Sequence, residues 1–354
     1  MIDATSNDHR QAAPLPRVLV SILNWNGTPK TLACLDSMRE ELAATPADVT
    51  TLVIDNGSRS EDADALAAAV ATRAIVLRRL PENIGFTGGH NIAIEQAIRE
   101  GYDYIWLLNN DATVAPGTLP ELIAELATHP RCGAVSPILR DIDDGHIARC
   151  VNSHDWSKRV STRILDIEEG RRFQDAHPLA VWVDGTAVLF RVSALRETGP
   201  LDDRLFAYYD DNDIGVRLAA KGWSSRCVFT ATVFHENRET LEEFPLYLSY
   251  LLQRNEMLFY YNHTPAAYRR RLWLRLVDKA LYDASRFHDY GLMQHSDAAL
   301  LGMWDFLRRS FGPPAYQRKI PLGLRLVRAV TSQAYSLKNA RSRRAARRTV
   351  AAPQ

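Results

Sequence analysis

Residues 18–27 read VLVSILNWNG. Six apolar or small residues of strand length, followed by a cluster of polar residues, predict a buried parallel strand that ends in a functional loop. Thr28 and Pro29 then supply an N-cap and a first-turn proline, and Leu32, Leu35, Met38 and Leu42 recur at helical spacing. The unit repeats along the chain. A second strand, Thr51–Ile54, ends in Asp55-Asn56-Gly57 and leads into a helix from Ser60. A third is Ala74–Leu77. Gly85, Gly88 and Gly89 make a loose turn before a helix marked by Ile94 and Ile98, which Gly101 stops. A fourth strand, Tyr104–Leu108, ends in Asn109-Asn110-Asp111.

Alternating strands and helices of this kind predict an α/β fold, an open and mostly parallel sheet with helices on both faces. Ligands of such sheets sit outside the carboxyl ends of the strands, so Asn24, Asp55 and Asp111 should converge. Residues 135–183 give no clear periodicity. Trp182–Phe190 reads as a strand, Asp211–Lys221 as a helix closed by Gly222, and Val228–Phe234 as a further strand. From about 241 the pattern is helical and basic: residues 241–354 hold 19 Lys and Arg against 8 Asp and Glu, while residues 1–240 hold 24 against 34. The expected division is a disordered leader (1–16), a catalytic domain (17–240) with halves at about 17–112 and 113–240, a basic helical extension (241–340) and a frayed tail (341–354).

The remaining bulk features narrow the class. At 354 residues and 46 % hydrophobic content the chain can bury a large core. The four cysteines are dispersed and predict reduced thiols. The polar N-terminus has no apolar segment of signal-peptide type, and no run of about 20 apolar residues predicts a membrane span. These features together predict a cytoplasmic protein.

Three groups of residues suit chemistry. Asn109-Asn110-Asp111 offers a carboxylate and amide oxygens to a hard divalent cation that also holds phosphates, although a polar turn after a buried strand reads the same way. Asp210-Asp211-Asn212-Asp213 places three carboxylates at a helix start, more than capping needs, as expected of a general base and its neighbours. His235, at the end of a strand, reads either as an ordinary hydrogen-bonded histidine or as a partner of Asp111 in a mixed nitrogen and oxygen site, which suits Mn²⁺ somewhat better than Mg²⁺. The glycines at 85–89 form neither a dinucleotide fingerprint nor a phosphate loop, but they would let a ligand approach the backbone.

In order along the chain, SILNWNG (21–27), VIDNGS (53–58), ENIGFTGGHN (82–91), LLNNDATVAPGTL (107–119), VDGTAVLFR (183–191), GPLDDRLFAYYDDNDIGVRLAAKGW (199–223), VFHE (233–236) and LLQRNEMLFYYN (251–262) resemble the motifs of glycosyltransferase family 2, rhamnosyltransferase-like branch. The resemblance covers about 18–262 and implies a GT-A fold with a C-terminal helical extension. It further implies an inverting, metal-dependent transfer of a sugar from a dTDP- or UDP-linked donor, dTDP-rhamnose favoured, to a glycan or lipid-linked glycan acceptor in cell-surface polysaccharide synthesis. By position, Asp111 looks like the metal-binding acid, with His235 completing the shell of Mn²⁺ or Mg²⁺. Asn24, Trp25, Asp55, Asn83, Gly85, Asn109 and Asn110 line the donor site, with Trp25 on the base and Asp55 at the nucleoside. Asp211 matches the catalytic base. Asp210 stands where the family usually has Glu, and Asp213 matches an acid that orients the acceptor or an arginine. Trp182, Asp184 and Gly185 fall on the acceptor side.

Other classes fit less well. A nucleotide-sugar pyrophosphorylase would carry a glycine- and lysine-rich loop after the first strand, where this chain has Asn24-Trp25-Asn26-Gly27. A non-catalytic carbohydrate-binding or scaffold protein has little use for Asp111 and Asp211 together, and an NAD-dependent oxidoreductase lacks its glycine fingerprint. No nucleic-acid partner is implied. Arg269, Arg270, Arg271, Arg275 and Lys279, interleaved with Leu272, Trp273, Leu274, Leu276 and Val277, read either as a packed extension or as a surface for peripheral contact with the cytoplasmic face of the inner membrane. Trp304 and a second basic group, Lys338 and Arg341 to Arg348, extend that reading.

Overall fold

The computed structural model describes residues 14–236 and 245–335. Most of the leader, the tail and the second basic group lie outside the described residues. The predicted βα repeat is present as β1 (Arg17–Asn24), α1 (Thr28–Ser37), α2 (Arg39–Ala44), β2 (Asp48–Asp55), α3 (Ser60–Val70), β3 (Ile75–Arg79), α4 (Gly85–Glu100) and β4 (Tyr104–Asn109). β1 pairs in parallel with β2 on one side and β4 on the other, and β2 pairs in parallel with β3. In this register Asn24 lies beside Asp55 and Leu23 beside Asn109, so the polar residues that end three strands share one edge.

β5 (Ala112–Val114), α5 (Thr118–Thr128) and β6 (Cys132–Asp141) follow. The stretch with no clear periodicity contains β7 (Ile147–Arg149), β8 (Val151–Asp155), β9 (Val160–Ile164) and α6 (Ile167–Ala176). Trp182–Phe190 is not one strand. β10 (Val181–Trp182) joins β8 and β9 in a small antiparallel sheet, and β11 (Ala187–Arg191) joins the main sheet between β4 and β6. The chain breaks between them because Asp184 Oδ1 accepts from Thr186 N (3.0 Å) and Oγ1 (2.6 Å), a local turn that competes with strand pairing. α7 (Val192–Thr198), α8 (Asp210–Ala220) and β12 (Ser224–His235) complete the main sheet, ordered β3-β2-β1-β4-β11-β6-β12-β5, with β7 beside β6. This is the GT-A arrangement: a mostly parallel sheet, interrupted by an antiparallel β11 and covered by helices on both faces.

One apolar layer packs Leu35, Met38, Leu66, Leu119 and Leu122 under the sheet, and the other packs Ile94, Ala97, Leu195, Ile214 and Leu218 over it. The C-terminal helices α9 (Leu246–His263), α10 (Leu272–Asp289) and α11 (Met293–Leu307) form a third core, and 322–335 is helical as well. α9 is buried on nearly every side, so it is an internal strut of the molecule. Trp156, in the turn between β8 and β9, stacks on its Phe259. The four cysteines are buried and free, as their spacing predicts.

Candidate active site

The edge formed by β1, β2 and β4 carries a continuous polar network. Asn24 Nδ2 donates to Asp55 Oδ1 (3.2 Å), to Ser58 Oγ (3.2 Å) and to Asp62 Oδ2 (2.9 Å). Thr31 Oγ1 donates to Asn24 Oδ1 (2.9 Å) and accepts from Asn110 Nδ2 (2.9 Å). The member of the 109–111 segment that this network joins to Asn24 and Asp55 is Asn110; Asp111, expected beside them, pairs with His235 instead. Asp55 and Asn24 are buried, whereas Trp25 stands 52 % exposed beside them. Asn83 and Gly85 occupy the neighbouring loop, where Asn83 Oδ1 accepts from Gly85 N (2.8 Å) and Asn56 Nδ2 (3.2 Å). The glycine turn differs from expectation: Gly85, Gly88 and Gly89 form the first turns of α4 itself. At Gly85 (φ +87°) a Cβ would stand 2.4 Å from Phe206 O, so the glycine admits the backbone of the 201–209 loop rather than a ligand.

Asp111 and His235 face each other across β5 and β12, with Oδ1 and Nε2 3.1 Å apart. Burial by itself would raise the Asp111 carboxyl, but the His235 contact and charge, with Lys30 nearby, outweigh it and hold the group below the usual carboxylate range. His235 is raised despite burial, because Asp111 and then Asp184 favour its cation. Asn109 binds the segment between β10 and β11 through its N–H to Thr186 O (2.8 Å), and its side chain lies 3.5 Å from His235 Nε2.

Asp210 and Asp211 open α8 on the other side of Asp184 and Gly185. Asp211 Oδ2 accepts from Gly185 N (3.3 Å), and its Oδ1 accepts from Asn212 N and Nδ2 (both 2.7 Å). A Cβ on Gly185 would sit 3.4 Å from Asp210 Oδ2 and 3.5 Å from Asp211 Cβ, covering the pair. Behind the acids lie Phe86, Leu107, Val183, Val188 and Ile214. Burial against this wall, and then the charge of Asp184, push Asp211 up to about 6. Burial and the Asp211 charge push Asp210 well above its usual range.

Asp213 and Trp182 take supporting positions behind the acids. Asp213 orients an arginine, one of its two expected roles: Arg217 Nε lies 2.7 Å away, and His263 Nε2 (2.6 Å) ties the same carboxylate to α9. Trp182 is buried, stacked on His154 and packed against Gly215, and it underlies the acceptor side without lining it. Sequence reading missed Asp62, Arg149 and Arg163. Arg149 Nε lies 3.5 Å from Asp184 Oδ2. Arg163 is held below its ordinary range by burial and by the neighbouring Arg149 charge, and it feels Asp184 and Asp211. Both arginines come from the stretch without periodicity, whose short strands carry too few residues to show alternation. Asp62 is a first-turn acid of α3, indistinguishable in sequence from an ordinary dipole partner. Asp141, Asp144 and His146 also cluster at ligand distance, but they are explained by their own turn, in which Asp141 Oδ1 accepts from Asp143 N and Asp144 Oδ1 from His146 N.

A family model described as glycosyltransferase like family 2 matches residues 16–249. An N-acetylglucosaminyl-diphospho-decaprenol L-rhamnosyltransferase of Mycobacterium tuberculosis is 30 % identical over 216 residues, 54 % of this chain and 68 % of the relative. The galactofuranosyltransferase GlfT1 of Mycolicibacterium smegmatis is 27 % identical over 154 residues, 43 % of this chain and 50 % of the relative. Among solved structures, the mannosyltransferase PcManGT from Pyrobaculum calidifontis, in complex with GDP-Man and Mn²⁺, is similar with a TM-score of 0.51 at 16 % identity, covering 92 % of this chain and 83 % of that one. S. aureus TarS 1-349 in complex with UDP-GlcNAc gives a TM-score of 0.53 at 12 % identity, covering 82 % and 81 %. At these identities the structural likeness is one of fold.

Proposed function

The chain belongs to glycosyltransferase family 2, and we propose that it transfers a sugar with inversion from a nucleotide diphosphate donor to a hydroxyl of a glycan or lipid-linked glycan. The observation that carries this reading is a pair of unlike acidic poles flanking the turn at Asp184 and Gly185. One pole, Asp111 with His235, is held ionised; at the other, burial raises both carboxyls, Asp210 well above its usual range and Asp211 to about 6.

Asp111 and His235 fit a divalent cation. One carboxylate oxygen and one imidazole nitrogen face each other at ligand spacing, and the remaining coordination positions suit phosphate and water oxygens. The donor set favours Mn²⁺ over Mg²⁺. Held by Asp111 and His235, such a cation would supply positive charge to offset that of the departing diphosphate. The chain's own residues do the rest. The Asn24–Thr31–Asn110 network fixes the loop that receives the nucleoside, where Trp25 offers an exposed ring to the base. The Gly185 N–H orients Asp211, whose carboxylate takes the acceptor proton as the hydroxyl oxygen attacks the anomeric carbon and the bond to the diphosphate breaks. A single displacement of this kind inverts the anomeric centre. Arg149 and Arg163, near Asp184, would suit an acceptor that bears phosphate.

The rhamnosyltransferase relative makes dTDP-rhamnose the favoured donor, and its lipid-linked acceptor makes a membrane-borne substrate the favoured acceptor. No helix among the described residues is long and apolar enough to cross a membrane. The start of α10 instead presents Trp273 and Leu274, 44 % and 68 % exposed, beside Arg270, Arg271 and Arg275, a composition that suits peripheral contact with anionic lipid at the cytoplasmic face. Lys279 does not join that surface, because it is bound to Glu256 and Asp283. The function is tested by a thermal-shift screen of nucleotide sugars with and without Mn²⁺. A Mn²⁺-dependent rise in melting temperature with dTDP-rhamnose, followed by transfer to a GlcNAc-diphospho-lipid, is the expected outcome. No shift with any nucleotide sugar would overturn the reading.

A further inference from the structure

The segment that delivers Asp210 and Asp211 has an unfavourable backbone. Phe206, Tyr208 and Tyr209 have φ of 64°, 68° and 67°, a left-handed conformation that aromatic L-residues rarely adopt. Tyr209 is the residue immediately before α8, so this conformation sets the direction in which the two acids leave the loop. Such a conformation persists only where its surroundings over-determine it.

The surroundings here are two side chains of α9. Asn255 is fully buried, and its Nδ2 donates to the carbonyls of Leu205 (2.9 Å), Ala207 (2.7 Å) and Tyr208 (3.0 Å), so two hydrogens are shared among three acceptors of the same loop. Arg254 is fully buried as well. Its guanidinium donates to Arg204 O (3.1 Å), Leu205 O (3.0 Å), Gly312 O (2.7 Å) and Asn255 Oδ1 (3.1 Å). Among the described residues no carboxylate lies within ion-pair distance of it, and the Asp305 charge reaches it only from behind Tyr250, whose hydroxyl donates to Asp305. A desolvated cation met by main-chain carbonyls is an expensive arrangement for stability alone. The same loop touches the donor side, where Phe206 O accepts from Thr87 N (3.2 Å) and fills the space beside Gly85.

We propose that Arg254 and Asn255 are positioning residues for the general base: together they hold 204–209 in its left-handed course and so aim Asp211 at the acceptor hydroxyl. This rests on the reading of Asp211 as the base. The consequence is that two side chains of α9, Arg254 and Asn255, act on the acids from a helix remote from them in sequence.

The test uses the full chain and four variants. Asn255→Asp keeps the shape of the side chain but replaces the amide donors with acceptors; Asn255→Ala removes them. Met257→Ala truncates a buried apolar neighbour on the same helix that makes no bond to the loop, and Asp211→Asn checks the base itself. Two readouts are taken: amide hydrogen exchange across 203–212, and the pH profile of nucleoside diphosphate release from dTDP-rhamnose with acceptor. The Asn255 variants should exchange faster at 205–211 and lose roughly 10²-fold in kcat, the scale of a 1 Å misplacement. The donor KM should move little, and the acid limb should shift. Met257→Ala should lower stability while keeping kcat and the limb. Unchanged exchange and kcat in both Asn255 variants would overturn the proposal, and so would an equal loss in Met257→Ala. If Asp211→Asn keeps its turnover, the base reading falls, while the exchange data still report separately on whether Asn255 holds the loop.

Discussion

Asp111 and Asp211 are both aspartates at the carboxyl edge of one sheet, both partly shielded from water, yet the protein treats them oppositely. Asp111 has a histidine 3.1 Å away and Lys30 nearby, and it is held below the ordinary carboxylate range. Asp211 has an apolar wall behind it and carboxylates at its sides, and it is raised to about 6. Burial acts on both in the same direction, so the sign of the neighbouring charge decides the outcome. A group kept ionised is suited to hold a cation; a group near its protonation point is suited to accept a proton.

The largest effect should come from the ionised pole. Asp111→Asn removes the charge but preserves the shape, and transfer should fall by about 10³-fold or more with an unchanged circular dichroism spectrum. Full activity in this variant, or in excess EDTA, would break the contrast between the poles. At the protonating pole, Asp211→Asn should leave donor affinity nearly intact by calorimetry and lower turnover by roughly 10²–10⁴-fold. If Asp210→Asn is crippled while Asp211→Asn is active, the two acids have exchanged roles.

A smaller effect follows in stability. The folded value of Asp211 lies above the ordinary 3.8, so its ionisation opposes folding above about pH 6, and that cost fades as pH falls from about 6 toward 3.8. Asp211→Asn should therefore raise the melting temperature by roughly 2–4 °C at pH 7.5 and by less at pH 5. An equal shift at both pH values would mean that packing, not charge, sets the difference.

How far the sequence reveals these poles depends on range. The βα repeat, the strand-end edge of Asn24, Asp55 and the 109–111 segment, and the acid cluster at 210–213 were legible because strand length, capping residues and motif order are local signals. Asp213 was read as orienting the acceptor or an arginine, and it pairs with Arg217, but its second partner, His263, lies 50 residues away and was not legible. Trp182 went the same way, since only tertiary packing against Gly215 and His154 shows that it is covered. Arg149 and Arg163 were not legible, because β7, β8 and β9 are three to five residues long and alternate too briefly. Gly85 was recognised as a close-approach position, but what approaches is the Phe206 carbonyl.

The most direct test of the account is the pH dependence of kcat/KM for the native chain and for Asp211→Asn, measured over pH 4.5–8.5 with saturating Mn²⁺. The native chain should lose activity tenfold per pH unit below an apparent value near 6, and the variant's residual activity should lack that limb. The same acid limb in both proteins would contradict the assignment of Asp211 as the base.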